Sequence, residues 1–269
     1  MEYKMRFKCI LVLYNINYNQ SETFNDLVNT EYFHNNRIDI IVVDNSTADY
    51  QNSTVENNES IHYISMDGNV GLSKAYNQAL NHITDKKGNL IVLLDDDTQI
   101  TNQYFQEIEK AYINQNADIY LPVIYDQEGS LLSPSIMKKY RCLRAENLDE
   151  ISDKNICGIN TGMAIKGDIF SHYRYNENLF LDFVDHNFIR DMKEQKRKIV
   201  YVNTKLEQNF SLLEDDYESS LKRFKIAKKD IYEYYNHRGL ISKCVYYYTI
   251  IRRKMKNYRQ FKKIGIFFE

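Results

Sequence analysis

The chain has 269 residues, with 35 Lys/Arg against 37 Asp/Glu, 43% hydrophobic residues, nine glycines and two prolines. It is long enough for a sizeable core, and its composition excludes collagen-like, low-complexity and intrinsically disordered chains. The net charge of −2 excludes a global field for nucleic acid, but nine Lys/Arg and a single acid, Glu269, follow Glu233, so this end carries +8 and the rest −10.

In chain order, Cys9–Leu13 is a short apolar, branched run ending at Tyr14-Asn15, and Ile38–Val43 repeats the form, ending at Asp44-Asn45-Ser46. His62–Met66 reads as a third strand, followed by the turn Asp67-Gly68-Asn69. From Leu72 the apolar residues recur at helical spacing through Ala75, Tyr76, Ala79, Leu80 and Ile83. Leu90–Leu94 is again an apolar run, ending in Asp95-Asp96-Asp97, and Thr101–Asn114 has helical periodicity. Further on, Asp118–Val123, Gly162–Lys166, Lys198–Val202 and Leu206–Phe210 are expected as strands, and Gly167–His172 and Asp185–Gln195 as helical. Two helices, roughly 217–236 and 239–260, are expected to form a C-terminal extension.

Buried strands alternating with amphipathic helices predict an α/β fold whose mostly parallel central sheet carries helices on both faces. Ligands bind such sheets beyond the carboxyl ends of the strands, where Tyr14-Asn15, Asp44-Asn45-Ser46 and Asp95-Asp96-Asp97 all fall. The four cysteines show no CxxC and no metal-type spacing, so reduced thiols are expected. Every apolar run is too short to span a membrane or serve as a signal peptide, which predicts a cytoplasmic protein.

Asp95-Asp96-Asp97 is the strongest chemical feature. Three adjacent carboxylates repel one another unless they are solvated or neutralised by a cation. In extended chain Asp95 and Asp97 point the same way, which suits Mg²⁺ or Mn²⁺ held together with phosphate oxygens. A solvated acidic turn capping the helix near Thr101 is the structural alternative. Gly68-Asn69-Val70-Gly71-Leu72-Ser73-Lys74 enters a helix whose N-terminus favours an anion, and Lys74 and Asn77 could reach the same ligand. A plain helix start reads equally well; Walker A and GxGxxG spacings are both missing. In Leu179–Phe188, apolar neighbours would raise a carboxylate toward general-base duty, yet Asp182 or Asp185 as N-cap of the following helix is the favoured reading of those residues alone.

Taken together, Leu11-Val12-Leu13-Tyr14-Asn15, Val43-Asp44-Asn45-Ser46, Asn69–Asn77, Leu93–Thr98 and Phe180–Asp185 resemble, in order and interval, glycosyltransferase family 2. These are inverting enzymes of GT-A fold, and the likeness is greatest to bacterial rhamnosyltransferase-like members, over about residues 7–211. The resemblance implies a GT-A domain over 1–212, with a nucleotide-sugar-binding half (1–100) and an acceptor-side half (101–212), followed by the extension 213–269.

It further implies that Asp95 and Asp97 are a DxD-type pair with Asp97 on the metal, and that Asp96 lies beside the nucleotide-sugar. Asp44 would accept the imide N–H of uracil or thymine. Tyr14 and Asn15 would line the nucleoside pocket, with Asn69, Gly71 and Lys74 near ribose or phosphates. Asn160-Thr161-Gly162 would lie beside donor sugar and acceptor, Asp185 would be the base, and Asp182 the second choice. Two positions depart from relatives. Asn187 stands where a second acid is frequent, with His186 as a substitute on the acceptor side, and Gln208 stands where a metal-binding histidine is frequent.

The expected activity is inverting transfer from a UDP- or dTDP-sugar, dTDP-rhamnose first, to a lipid-linked saccharide in surface polysaccharide synthesis, with Mn²⁺ or Mg²⁺. A silent nucleotide-sugar-binding module is the alternative. A sugar-1-phosphate nucleotidyltransferase is less favoured, because Tyr14–Asn19 has neither the glycine nor the base its first loop needs. Arg252, Arg253, Lys254, Lys256 and Arg259, mixed with apolar and aromatic residues, suit docking on the anionic inner face of a membrane. A solvated basic face or a homodimer contact is the other reading of that helix.

Overall fold

The computed structural model describes residues 5–55, 59–139, 141–208, 216–236 and 238–269. In its first half β1 (Phe7–Leu13), α1 (Glu22–Asn29), α2 (Glu31–His34), β2 (Ile38–Asp44), β3 (Ile61–Ser65), α3 (Leu72–His82), β4 (Leu90–Leu94) and α4 (Asn102–Gln115) follow one another. Then come β5 (Ile119–Tyr125), β6 (Leu131–Ser133), β7 (Ser135–Lys138), β8 (Arg141–Leu143), β9 (Ile156–Cys157) and β10 (Met163–Lys166). The chain continues through α5 (Val184–Glu194), β11 (Ile199–Glu207), α6 (Tyr217–Asn236) and α7 (Leu240–Phe261).

The main sheet runs β11-β5-β10-β4-β1-β2-β3, with β6 paired to β5. β1, β2, β3 and β4 are mutually parallel, and β10 is inserted antiparallel between β4 and β5. Strand alternation sends Ile10, Val12, Ile91 and Leu93 to a core shared with α3, α5 and α6. Cys9, Leu11, Val92 and Leu94 go to a second core, with α1 and α4. Both faces are covered, which is why these strands read as unbroken apolar runs. At their opposite ends, buried Lys8 lies in register with buried Asp39 and pairs with it at 2.5 Å.

Several expectations need correction. Lys198–Val202 and Leu206–Phe210 are not two strands: β11 is one strand whose register with β5 shifts between Val202 and Lys205, and Asn209 and Phe210 lie outside the described residues. The expected boundary at 212/213 also falls outside them. α1, α2 and the small β8-β7-β9 sheet had no expected counterpart; their strands of two to four residues are too short to show a period. Neither Asp182 nor Asp185 caps α5, because its N-cap is Phe183 at φ 66° with no side-chain cap bond. Thr101 caps α4 itself, accepting from Tyr104 N, so the acidic triplet is not that helix's cap.

Gly71 opens α3 at φ 94°, and a Cβ there would lie 2.7 Å from Phe180 Cδ2 and 2.8 Å from Phe180 O. Leu72 N donates to that same carbonyl at 2.6 Å, so the loop before α5 rests directly on the start of α3. Gly71→Ala combines overpacking with a left-handed backbone and is expected to remove about 1–3 kcal/mol. Urea unfolding checks this; an unchanged midpoint would mean that the loop yields freely.

Candidate functional site

The residues expected on the donor side gather beyond the carboxyl ends of β1, β2 and β4. Asn15, at φ 55°, donates its backbone N–H to Ser46 Oγ at 2.9 Å, and its Oδ1 accepts from Thr47 N at 2.9 Å. Asn45 Oδ1 accepts from Val70 N at 2.9 Å, and its Nδ2 donates to Asn69 Oδ1, which also accepts from Gly71 N. These bonds tie the three loops into one rim, on which Tyr14 is half exposed and Lys74 exposed. Asp44 is buried; Ser46 N donates to its Oδ1 and Tyr63 Oη to its Oδ2, leaving each oxygen a further lone pair. Asn77 does not share a ligand with Lys74: it is buried, its Nδ2 donating to Tyr175 O and Glu177 Oε1.

The acidic triplet is pinned from behind by the start of α1, an element without an expected counterpart. Thr23 Oγ1 donates to Asp95 O at 2.7 Å, Ser21 Oγ donates to Asp96 O at 2.8 Å, and Thr98 N donates to Thr23 Oγ1. Asp95 Oδ2 accepts from Thr161 Oγ1, and from Gln208 Nε2 at 3.1 Å. Gln208 reaches it because it bridges to Thr98 just past the end of β11. Buried Asn160 precedes Thr161, and Gly162, at φ 69°, gives its carbonyl to Tyr104 Oη at 2.7 Å.

Burial pushes all three carboxyls up. It is the main cause at Asp95, opposed by the Thr161 and Gln208 hydrogen bonds, while repulsion within the triplet helps burial lift Asp96 and Asp97 to about 6. Asp97 Oδ1, Gln208 Oε1 and Asn160 Oδ1 are buried oxygens without a hydrogen-bond partner among the described residues. Unpartnered oxygens around crowded carboxylates match the hard-donor set that Mg²⁺ or Mn²⁺ takes. A divalent cation is therefore chemically suited to Asp95, Asp97 and Gln208.

On the other side, α5 brings Asp185 close enough for its charge to raise the Asp95 carboxyl. Asp185 Oδ1 accepts from His186 N at 2.7 Å. Asp182 instead faces the C-terminal helices and pairs with Arg223 at 2.6 Å and Arg253 at 3.4 Å. Although burial opposes it, these guanidinium groups hold its carboxyl below the usual range, the wrong direction for a proton acceptor near neutral pH. Asn187 is buried and knitted to Arg190 and Asp191, so it serves packing rather than the rim. The four cysteines are free thiols as expected, but the reading of no metal-type cluster needs correction: the β8-β7-β9 sheet brings Cys142 and Cys157 to 3.2 Å, with His186 completing a cluster whose ligand atoms lie within 4.8 Å.

One residue in this region gave no signal in the sequence. Asp230 of α6 is fully buried and accepts the backbone N–H groups of Phe180, Leu181 and Asp182 at 2.7, 2.8 and 2.8 Å. Phe183, in its left-handed conformation, stacks on Tyr234 of the same helix at 4.6 Å. Burial is the larger influence on Asp230 and raises its carboxyl, while the three amides act against it.

The fold has known counterparts. A family model described as glycosyl transferase family 2 matches residues 9–174, and the chain belongs to that family. It is 27% identical over 150 residues to the dTDP-rhamnosyl transferase RfbF of Shigella flexneri, a match covering 54% of this chain and 51% of that one. Among solved structures, S. aureus TarS 1–349 superposes with TM-score 0.54 at 16% identity, over 85% of this chain and 65% of that one. GalNAc-T7 with UDP, GalNAc and Mn²⁺ superposes with TM-score 0.60 at 10% identity, over 85% of this chain and 48% of that one. The fold is thus GT-A, and the chain spans about half the length of the curated relative it matches.

Asp230→Asn keeps the volume but turns one acceptor oxygen into a donor facing backbone N–H groups. Amide exchange in the 179–184 segment is expected to quicken by about tenfold or more, equivalent to roughly 1–3 kcal/mol of local stability. Exchange in β1 and β4 should stay unchanged; equal protection of the segment in both proteins would remove Asp230 from this role.

Proposed function

We propose that the chain transfers a sugar, with inversion, from a pyrimidine nucleotide diphosphate sugar to a saccharide acceptor. The observation carrying this reading is the convergence of Asp95, Asp97 and Gln208, with Asp97 Oδ1 and Gln208 Oε1 unpartnered among the described residues, on the side of the site that Asp185 faces. Asp44 keeps acceptor capacity for the imide N–H of uracil or thymine, and the rim of Asn15, Asn69 and Gly71 offers backbone and amide groups to ribose and phosphates. Tyr14 and exposed Lys74 border the same rim, and Asp96 flanks the donor.

Asp95, Asp97 and Gln208 would hold Mn²⁺ or Mg²⁺, which when bound supplies charge neutralisation for the departing diphosphate. Asp185 takes the proton of the acceptor hydroxyl as its oxygen forms the bond to the anomeric carbon. The bond from that carbon to the donor phosphate oxygen breaks on the opposite face. Asn160, Thr161 and Gly162 border the sugar, and His186 orients Asp185 through its backbone N–H. Asp182, bound by two arginines, organises the loop instead. UDP and dTDP are the preferred nucleotides, and rhamnose is preferred on the likeness to RfbF. Residues 1–100 would form the donor half, 101–212 the acceptor half, and 213–269 an extension bordering the acceptor.

A lipid-linked acceptor is supported by α7. No helix of the described residues is long and apolar enough to cross a membrane. Leu240, Cys244, Tyr247, Ile251, Met255 and Tyr258, three or four apart, nevertheless form an exposed apolar stripe along α7. We read this stripe, flanked by bases, as resting on an anionic membrane surface.

Three measurements follow. Calorimetry with UDP and dTDP should give Mn²⁺-dependent binding that Asp97→Asn abolishes and Asp185→Asn leaves intact. Asp185→Asn should lower transfer by roughly 10²–10⁴-fold, and near-native transfer in that variant would overturn the base assignment. In co-sedimentation with phosphatidylglycerol vesicles, Ile251→Ser/Met255→Ser should bind several-fold more weakly than the wild type; equal binding would remove α7 from the membrane.

A further inference from the structure

Away from the donor side, a cleft of about 610 Å³ opens between β8, the loop before α5, and helices α6 and α7. Five permanent cations line it: Arg141 of β8, Arg223 of α6, and Arg252, Arg253 and Lys256 of α7. Asp182 is the one carboxylate in the lining among the described residues, and it is engaged by Arg223 and Arg253. Arg252 and Lys256 have no ion-pair or hydrogen-bond partner among the described residues, although they sit one turn apart and repel each other. Arg141 is held over the Tyr248 ring at 5.5 Å, a contact that leaves its N–H edge available. The lining also includes His186, the residue after Asp185.

A cleft with this excess of positive charge is built for a compact anion of two or more charges. Guanidinium forks match phosphate oxygens two at a time, and four α-helical or strand positions present them from three sides. The triplet of carboxylates serves the donor diphosphate through a cation; the basic cleft does the opposite job with its own charges. We propose that this cleft binds a phosphate or diphosphate group carried by the acceptor, which sets the acceptor hydroxyl against Asp185. The word acceptor rests on the transferase reading above; the anion site itself does not.

Inorganic pyrophosphate is the probe, titrated into the full chain in EDTA so that no divalent cation can recruit it to the acidic triplet. UDP with Mn²⁺ and phosphatidylglycerol vesicles are measured in parallel. The wild type should bind pyrophosphate, more weakly as salt rises. Arg252→Gln/Lys256→Gln should weaken it by about tenfold or more, from the loss of two charge-assisted contacts, while UDP binding and thermal unfolding stay unchanged. Arg141→Gln, on a different element, should weaken it as well, guarding against a helix-specific folding fault.

Absence of millimolar pyrophosphate binding, or equal affinity in wild type and variants, overturns the proposal. So does an effect of these variants on vesicles alone, which would assign the cations to a lipid surface. Loss of pyrophosphate binding in the variants of a protein that never binds UDP would uphold the anion site and remove the donor reading.

Discussion

The site depends on a single buried carboxylate that takes no part in chemistry. Asp230 has no access to solvent, and its burial is tolerated because three consecutive backbone N–H groups, from Phe180 to Asp182, converge on it. Those amides would otherwise be orphaned, since the loop before α5 belongs to no sheet and Phe183 caps the helix in a left-handed conformation without a side-chain bond. The same loop gives its Phe180 carbonyl to Leu72 N at the start of α3. One loop is therefore fastened on one side to the helix that follows the donor rim and on the other to the C-terminal helices. The orientation of Asp185 is inherited from both.

The acidic turn shows the complementary strategy. Its three carboxylates are crowded and partly buried, and burial with mutual repulsion lifts Asp96 and Asp97 to about 6. The backbone is prevented from relaxing away because Ser21 and Thr23 hold the Asp95 and Asp96 carbonyls from behind. Thr161 and Gln208 stabilise only one oxygen of Asp95, leaving Asp97 Oδ1 and Gln208 Oε1 unpartnered. Charge is held where water alone would not place it, which is electrostatic preorganisation toward a cation rather than toward the folded state.

Much of this was legible in the sequence because buried parallel strands and amphipathic helices have unmistakable periods. The strand ends at Tyr14, Asp44 and Asp95 predicted the rim directly, since ligands gather at the carboxyl edge of such sheets. What escaped was carried by residues whose neighbours lie far along the chain. Asp230 sits in a charged amphipathic helix where nothing local distinguishes it, and its three partners are some fifty residues away. The N-cap reading of Asp182 and Asp185 failed for the same reason: propensity favours a cap there, but tertiary contacts from α6 and α7 took Asp182 for Arg223 and Arg253. The meeting of Cys142, Cys157 and His186 was hidden because strands of two or three residues leave no periodic trace.

The C-terminal basic run looked like one property in the sequence and is three in the fold. Helical geometry sorts α7 into a face that packs on α6 through Ile250 and Asn257, a basic face lining the cleft through Arg252, Arg253 and Lys256, and an apolar stripe through Tyr247, Ile251 and Met255 turned to solvent. Mixed bases and apolar residues, read without that sorting, offered adsorption to lipid, a solvated basic face or a homodimer contact, and no cavity. Once sorted, Arg252, Arg253 and Lys256 line a cavity, and the apolar stripe is exposed and outside its lining. On the two proposals above, a stripe resting on a membrane and a neighbouring cavity taking a phosphate group would impose a fixed relation on a lipid-borne acceptor: its chain at the stripe, its charged group in the cavity that His186 also lines. Those proposals assign the two faces to different steps, a division that a simple electrostatic tail would not allow.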